Sequence, residues 1–193
     1  MMETKSIMIV GVGGQGSLLS SKLLGRLLLD EGYDVKVSEV HGMSQRGGSV
    51  VTYVRFGDKV ASPIVDFGGA DMIVSFEPLE AARYCAYMKA GGTVVTNTRK
   101  VDPMPVITGA MTYPEDPLGM LEAKGMKVDA LDALTVARDA GSVRAVNLVL
   151  LGRMSLYFDI SLDAWMRAID ACVPPKFIDI NRRAFLLGRG EKA

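Results

Sequence analysis

Apolar positions along this chain switch repeatedly between a period of two and a period near four. Residues 6–10 ("SIMIV") form a short apolar run that ends in "GVGGQG". From Gln15 to Glu31, Leu19, Leu23 and Leu27 then recur at four-residue spacing beside Leu24 and Leu28. That switch predicts a strand, a glycine turn and an amphipathic helix. Gly32 supplies a helix stop and "DVKVSEV" from Asp34 alternates as a second strand, so the first unit reads as βαβ. "SVVTYVRF" (49–56) is β-branched and aromatic, and Gly57-Asp58 mark a turn toward an extended stretch at 60–65, which predicts a hairpin or an edge strand.

"ADMIVSF" (70–76) reads as a buried strand, "EPLEAARYCAYM" as a helix with Pro78 in its first turn, and "GGTVVTNT" (91–98) as the next strand. Prolines 103, 105, 114 and 117 loosen the pattern over 101–119 into loop and short extended pieces. A helix near 118–124, a last strand at 126–131, helices at 134–140, 143–157 and 162–171, a break at "VPP" and a short helix over 182–187 complete the reading. Strands alternating with helices predict an α/β, Rossmann-like fold in a single domain over residues 1–193. Its sheet is mostly parallel, with helices on both faces.

Composition narrows the function. At 193 residues and 49% hydrophobic, the chain can bury one sizeable core. Its 22 basic and 22 acidic residues cancel without a block of like charge, which argues against a nucleic-acid surface or a polybasic membrane patch and for a small-molecule or protein partner. The apolar runs fall short of the roughly 18 residues of a membrane span. With no leader ahead of the first strand, a cytoplasmic location is expected. Cys85 and Cys172 stand apart in apolar, helix-like contexts, with a single histidine elsewhere, so neither a disulfide framework nor a zinc or iron–sulfur site is expected in this chain, and both read as small buried hydrophobes.

Candidate chemistry gathers at the ends of the predicted strands. Gly11, Gly13 and Gly16 satisfy G-x-G-x-x-G between a strand and a helix. In that context the first glycine permits a tight turn, the second a close approach of backbone to a ligand, and the third close packing of the helix. The helix N-terminus offers N–H groups to a phosphate or carboxylate. Gly14 and Gln15 are not required by that fingerprint, and a structural turn without cofactor fits as well. Glu39 stands where a ribose-binding acid is expected. The loop that follows, "EVHGMSQRGGSV", contains His41, Gly42, Met43, Ser44, Gln45, Arg46, Gly47 and Gly48. Arg46 reads as an anion contact on a pliable, glycine-flanked backbone, or as a surface charge; His41 reads as a proton-transfer group, or as a structural hydrogen-bond partner. Glu77 and Asn97, ending later strands, should emerge at the same carboxyl edge. No G-x-S-x-G elbow, Walker loop or Cys/His nucleophile pair is present.

These segments together resemble a known family. "GVGGQG", "SEVHGMSQRGGSV" with "VRFG" behind it, "ADMIVSFEPLEAARY", "GGTVVTNT", "NLVLLGRM" and "INRRAF" are similar to the beta subunits of indolepyruvate:ferredoxin oxidoreductase, a branch of the gamma-type subunits and domains of 2-oxoacid:ferredoxin oxidoreductases. The resemblance runs over nearly the whole chain. It implies CoA-dependent oxidative decarboxylation of arylpyruvates to arylacetyl-CoA with reduction of ferredoxin. It implies coenzyme A as co-substrate, and thiamine diphosphate and iron–sulfur clusters on a partner alpha subunit, since this chain lacks a G-D-G thiamine motif and a cysteine cluster. On that basis the glycine loop and residues 41–48 form the expected coenzyme or docking edge, and the isolated chain is inactive. A free-standing NAD- or flavin-binding dehydrogenase and an assembly module without a part in catalysis are the competing readings.

Overall fold

In the computed structural model the described residues are 3–39 and 43–191. They build one six-stranded sheet from β1 (Lys5–Val12), β2 (Asp34–Glu39), β3 (Ser49–Gly57), β4 (Ala70–Ser75), β5 (Met88–Asn97) and β6 (Lys127–Leu131). The strand order is β2-β3-β1-β4-β5-β6. β4, β5 and β6 extend from β1 in parallel, whereas β3 is antiparallel to both β1 and β2. The helices are α1 (Ser17–Asp30), α2 (Pro78–Arg83), α3 (Met104–Ile107), α4 (Pro117–Ala123), α5 (Ala133–Asp139), α6 (Val146–Ser155), α7 (Leu162–Cys172) and α8 (Ile178–Arg189).

Alternation along β1 divides the core. Ile7 and Ile9 point to a thick layer containing Leu23, Leu24, Leu27 and Leu28 of α1 with residues of α5 to α8, while Met8 and Val10 join a thinner cluster with Ala81 of α2 and Leu121 of α4. Each fully buried leucine of α1 contributes about 1.5–3 kcal/mol relative to exposure. The thick layer closes over an aromatic chain in which Phe158 meets Trp165 edge-on at 6.1 Å and Trp165 lies 5.3 Å from Phe185. Such ring pairs add about 0.5–1.5 kcal/mol each beyond the area they bury.

The structure corrects several local expectations. β3 is neither an edge strand nor paired with the 60–65 stretch, which forms no strand; it is inserted between β2 and β1 and buries Val50, Val51, Val54 and Phe56. The first βαβ unit therefore skips a position in the sheet. α2 ends at Arg83, and a 3-10 turn at Cys85–Tyr87 leads directly into β5, which begins at Met88. Residues 143–145 form a 3-10 turn ahead of α6, the proline-rich segment holds the short α3, and the last helix is longer than the apolar pattern showed. Cys85 and Cys172 are half-buried and pack with different clusters on opposite faces of the sheet. No described helix is long and apolar enough to cross a membrane.

Candidate functional site at the carboxyl edge

β1, β4 and β5 all end at one edge of the sheet, and the glycine loop sits at its centre. Gly11 lies within β1 and makes no turn. A side chain there would press 2.7 Å from the Gln15 amide oxygen, which accepts the Val12 N–H at 2.7 Å and closes the loop on itself. The close approach at Gly13 is to protein: a Cβ there would overlap the main-chain carbonyls of Ser44 and Gln45, and the Gly13 N–H donates to Gly48 O at 2.8 Å. Gly14 and Gly16 hold the left-handed φ values of 97° and 94° that turn the chain into α1.

The glycine loop and residues 43–48 are thus one packed unit. Arg46 N–H donates to Met43 O at 3.0 Å and Gly48 N–H to Ser44 O at 2.9 Å, so the loop expected to be pliable is a hydrogen-bonded turn closed at Gly47 with φ 86°. Ser44 and Gln45 are half-buried, whereas Arg46 is exposed and Met43 is 75% exposed. The Arg46 guanidinium has no ion pair among the described residues. His41 and Gly42 lie outside the described residues, and nothing is assigned to them.

Insertion of β3 also moves Glu39 two strands away from β1. Its carboxylate accepts the Ser21 hydroxyl of α1, which fixes β2 to the helix and does not aim at the glycine loop.

Glu77 and Asn97 do reach the edge, but their side chains are already engaged. Glu77 is 1% exposed; one carboxylate oxygen accepts Glu80 N–H at 3.0 Å as the cap of α2, and the other accepts Val101 N–H at 3.2 Å and the Tyr113 hydroxyl. Burial and this carboxylate together push the Tyr113 phenol well above its usual range. Asn97, 2% exposed, accepts Ala133 N–H at 3.1 Å and Arg99 N–H at 3.4 Å and donates to Phe76 O at 3.4 Å. These two residues tie β4, β5 and α5 together at the edge.

What remains available was not singled out in the sequence. A cleft of about 580 Å³ runs between the glycine loop and the segments that carry Arg99, Val101 and Arg144. Both arginines are exposed, and neither guanidinium has a hydrogen bond or ion pair among the described residues. Gly16, the cap of α1, makes no side-chain capping bond, and the first turn carries no acid, so its N–H groups face the loop without a protein acceptor supplied from the cap. Beside Gly16 lies Asn147 of α6, 3% exposed, whose amide oxygen has no hydrogen-bond partner. Arg99 follows a strand's carboxyl end by two residues and Arg144 precedes α6; the rule that ligand crevices form beyond strand ends would have pointed to the first of them. Two guanidinia across from an uncapped helix N-terminus form an anion-binding arrangement suited to more than one phosphate.

The profile of the pyruvate ferredoxin/flavodoxin oxidoreductase family matches residues 6–191. The chain belongs to this family. It is 48% identical to the indolepyruvate oxidoreductase subunit IorB of Thermococcus kodakarensis, over 97% of this chain and 95% of that one. Its fold superposes on pyruvate oxidoreductase subunit PORC from Thermotoga maritima with a TM-score of 0.75 at 20% identity, covering 98% and 97% of the two chains. It also superposes, with a TM-score of 0.74 at 20% identity, on part of a 2-oxoglutarate:ferredoxin oxidoreductase from Magnetococcus marinus bound to 2-oxoglutarate, coenzyme A and succinyl-CoA, covering 97% of this chain and 31% of that longer one. Family membership sets aside the free-standing dehydrogenase, and so does the geometry. The Gln45 backbone occupies the approach at Gly13, and Glu39 is bonded to Ser21.

Proposed function

We propose that this chain is the beta, gamma-type subunit of an indolepyruvate:ferredoxin oxidoreductase, a single domain over residues 1–193. In that complex it supports CoA-dependent oxidative decarboxylation of arylpyruvates to arylacetyl-CoA with electrons passed to ferredoxin. The 48% identity to the T. kodakarensis subunit supports the substrate class. The observation that carries the part played by this chain is the pair Arg99 and Arg144, whose guanidinia have no partner among the described residues, facing the uncapped start of α1 across the glycine loop.

In this reading the diphosphate and 3′-phosphate of coenzyme A supply the anions for that cleft. The N–H groups at Gly16 and Ser17 and the two guanidinia hold them. Residues 43–48, packed on the glycine loop with Met43 and Arg46 outward, form the rim against a partner alpha subunit. That partner carries the thiamine diphosphate that supplies the decarboxylation chemistry, and the iron–sulfur clusters. The described residues do not fit an iron–sulfur cluster: Cys85 and Cys172 face opposite sides of the sheet, and no described cluster of three His, Cys, Asp or Glu is arranged for a metal ion. The complex is cytoplasmic.

Co-expression with the chain that bears the thiamine motif and cysteine clusters tests this directly. The two should co-purify and reduce ferredoxin with indolepyruvate and coenzyme A, and the chain described here should be inactive alone. Turnover by the isolated chain with a nicotinamide or flavin, or failure of the pair to associate, overturns the reading.

A further inference from the structure

A second cavity, with an apolar wall, lies at the opposite, amino edge of the sheet. It holds about 500 Å³, within the roughly 300–1,000 Å³ of small-molecule sites. β1 spans 8 residues from Lys5 at this cavity to Val12 at the glycine loop, so the two sites are separated by more than about 20 Å.

Three observations give this cavity the character of a built site. Its wall is aromatic: Tyr33 meets Phe56 edge-on at 5.4 Å and Phe56 stacks on Phe158 at 6.1 Å, leaving a preformed ladder onto which a further ring can pack. Its floor is an irregularity in β5, where Ala70 pairs with Met88 but Met72 pairs with Thr93, so residues 89–92 loop out of register and line the cavity. Such bulges re-aim side chains, and here Lys89 is brought to Asp71 at 2.8 Å. Its mouth carries charges of both signs. Asp71 accepts from Lys89 and from the Ser6 N–H, each at 2.8 Å, and also pairs with Lys5 at 3.6 Å, a separation that leaves the Lys5 ammonium hydrogens open to a further acceptor. Asp159, exposed on the same mouth, has no hydrogen bond or ion pair among the described residues.

A carboxylate ligand alone would give Lys5 a hydrogen-bonding acceptor but meet Asp159, and an amine alone would pair with Asp159 but meet Lys5. A ligand carrying both charges next to an aromatic body satisfies the cation, the anion and the wall together. We propose that the amino-edge cavity binds the zwitterion of a free α-amino acid with an aromatic side chain. The ligand is far from the coenzyme cleft, so it acts there as an effector and not as a reactant.

The test is calorimetric titration of the 193-residue chain with L-phenylalanine, phenylacetate and 2-phenylethylamine. L-phenylalanine should bind, and each single-charge analogue should bind at least about tenfold more weakly. Lys5→Met and Asp159→Asn, both on exposed side chains, should each weaken L-phenylalanine by about tenfold while far-UV circular dichroism stays unchanged. Absence of L-phenylalanine binding at millimolar concentration, equal binding of phenylacetate, or indifference to both substitutions overturns the proposal. Neither the partner subunit nor coenzyme A is needed for this titration, so its failure is separate from any failure of the carboxyl-edge reading.

Discussion

Glu77 and Asn97 reach the carboxyl edge by the same topological rule that places Arg99 beside the cleft, yet the acid and amide differ from the arginines in every respect that decides function. Glu77 and Asn97 are almost fully buried, and their acceptors are occupied by main-chain N–H groups from three different segments. Arg99 and Arg144 are exposed, with guanidinia that have no described partner, and line the cleft beside the glycine loop. Convergence at a strand end therefore identifies a region, while saturation of hydrogen bonds separates the groups that hold it from those free to meet a ligand. Disturbing the first set should cost stability, and disturbing the second should cost binding.

The largest stability effect is expected from Glu77→Gln. The amide keeps one acceptor oxygen and places an NH2 group at the other position, so either the Glu80 N–H or the Val101 N–H and the Tyr113 hydroxyl lose their acceptor, and about 2–3 kcal/mol should be lost in urea unfolding. A loss below about 0.5 kcal/mol would contradict its structural assignment. Gly13→Ala comes next, because the methyl group meets the carbonyls of Ser44 and Gln45; overpacking of this kind costs about 1–3 kcal/mol and should also displace the rim formed by residues 43–48. Native-state proteolysis or hydrogen exchange across 43–50 would detect that displacement.

Arg46→Ala should leave unfolding within about 0.5 kcal/mol of the parent, since among the described residues only its main chain is engaged. Turnover of the reconstituted complex should fall by several-fold if Arg46 meets the partner or its coenzyme. Unchanged turnover and unchanged coenzyme dependence would demote it to a surface charge. The smallest effect belongs to Tyr157, away from this edge. Burial and then the hydrogen bond to Asp129 push its phenol from 10.0 up to about 12. Because the folded value is raised, its contribution is complete below pH 10.0 and lost as pH rises toward about 12. The stability difference between the parent and Tyr157→Phe should thus be constant to pH 10 and close above it.

The strands and α1 were legible in the sequence because their apolar periods are regular. β1 alternates through Ile7 and Ile9 on one face and Met8 and Val10 on the other. The place of β3 was not legible, because an apolar strand reads the same at an edge or inserted between neighbours, and only long-range pairing decides. That one insertion is what removes Glu39 from the position of a ribose acid. In the glycine loop the spacing placed a turn between β1 and α1 but gave it to Gly11, where Gly14 and Gly16 make it, and gave Gly13 the wrong neighbour, since the fingerprint carries no record of what approaches a bare Cα. Arg99 and Arg144 carry no motif as single arginines among the chain's 22 basic residues, and only the fold sets them across one cleft.

The central claim, that the exposed arginines of this edge receive the phosphates of coenzyme A, is tested most directly by steady-state kinetics. The measurement is the KM for coenzyme A of the reconstituted complex carrying Arg99→Ala and Arg144→Ala together. Loss of two charge-assisted contacts should raise it by at least about 30-fold, with the KM for the 2-oxoacid unchanged and the melting temperature of the chain preserved. A coenzyme A KM equal to that of the unsubstituted complex would contradict it.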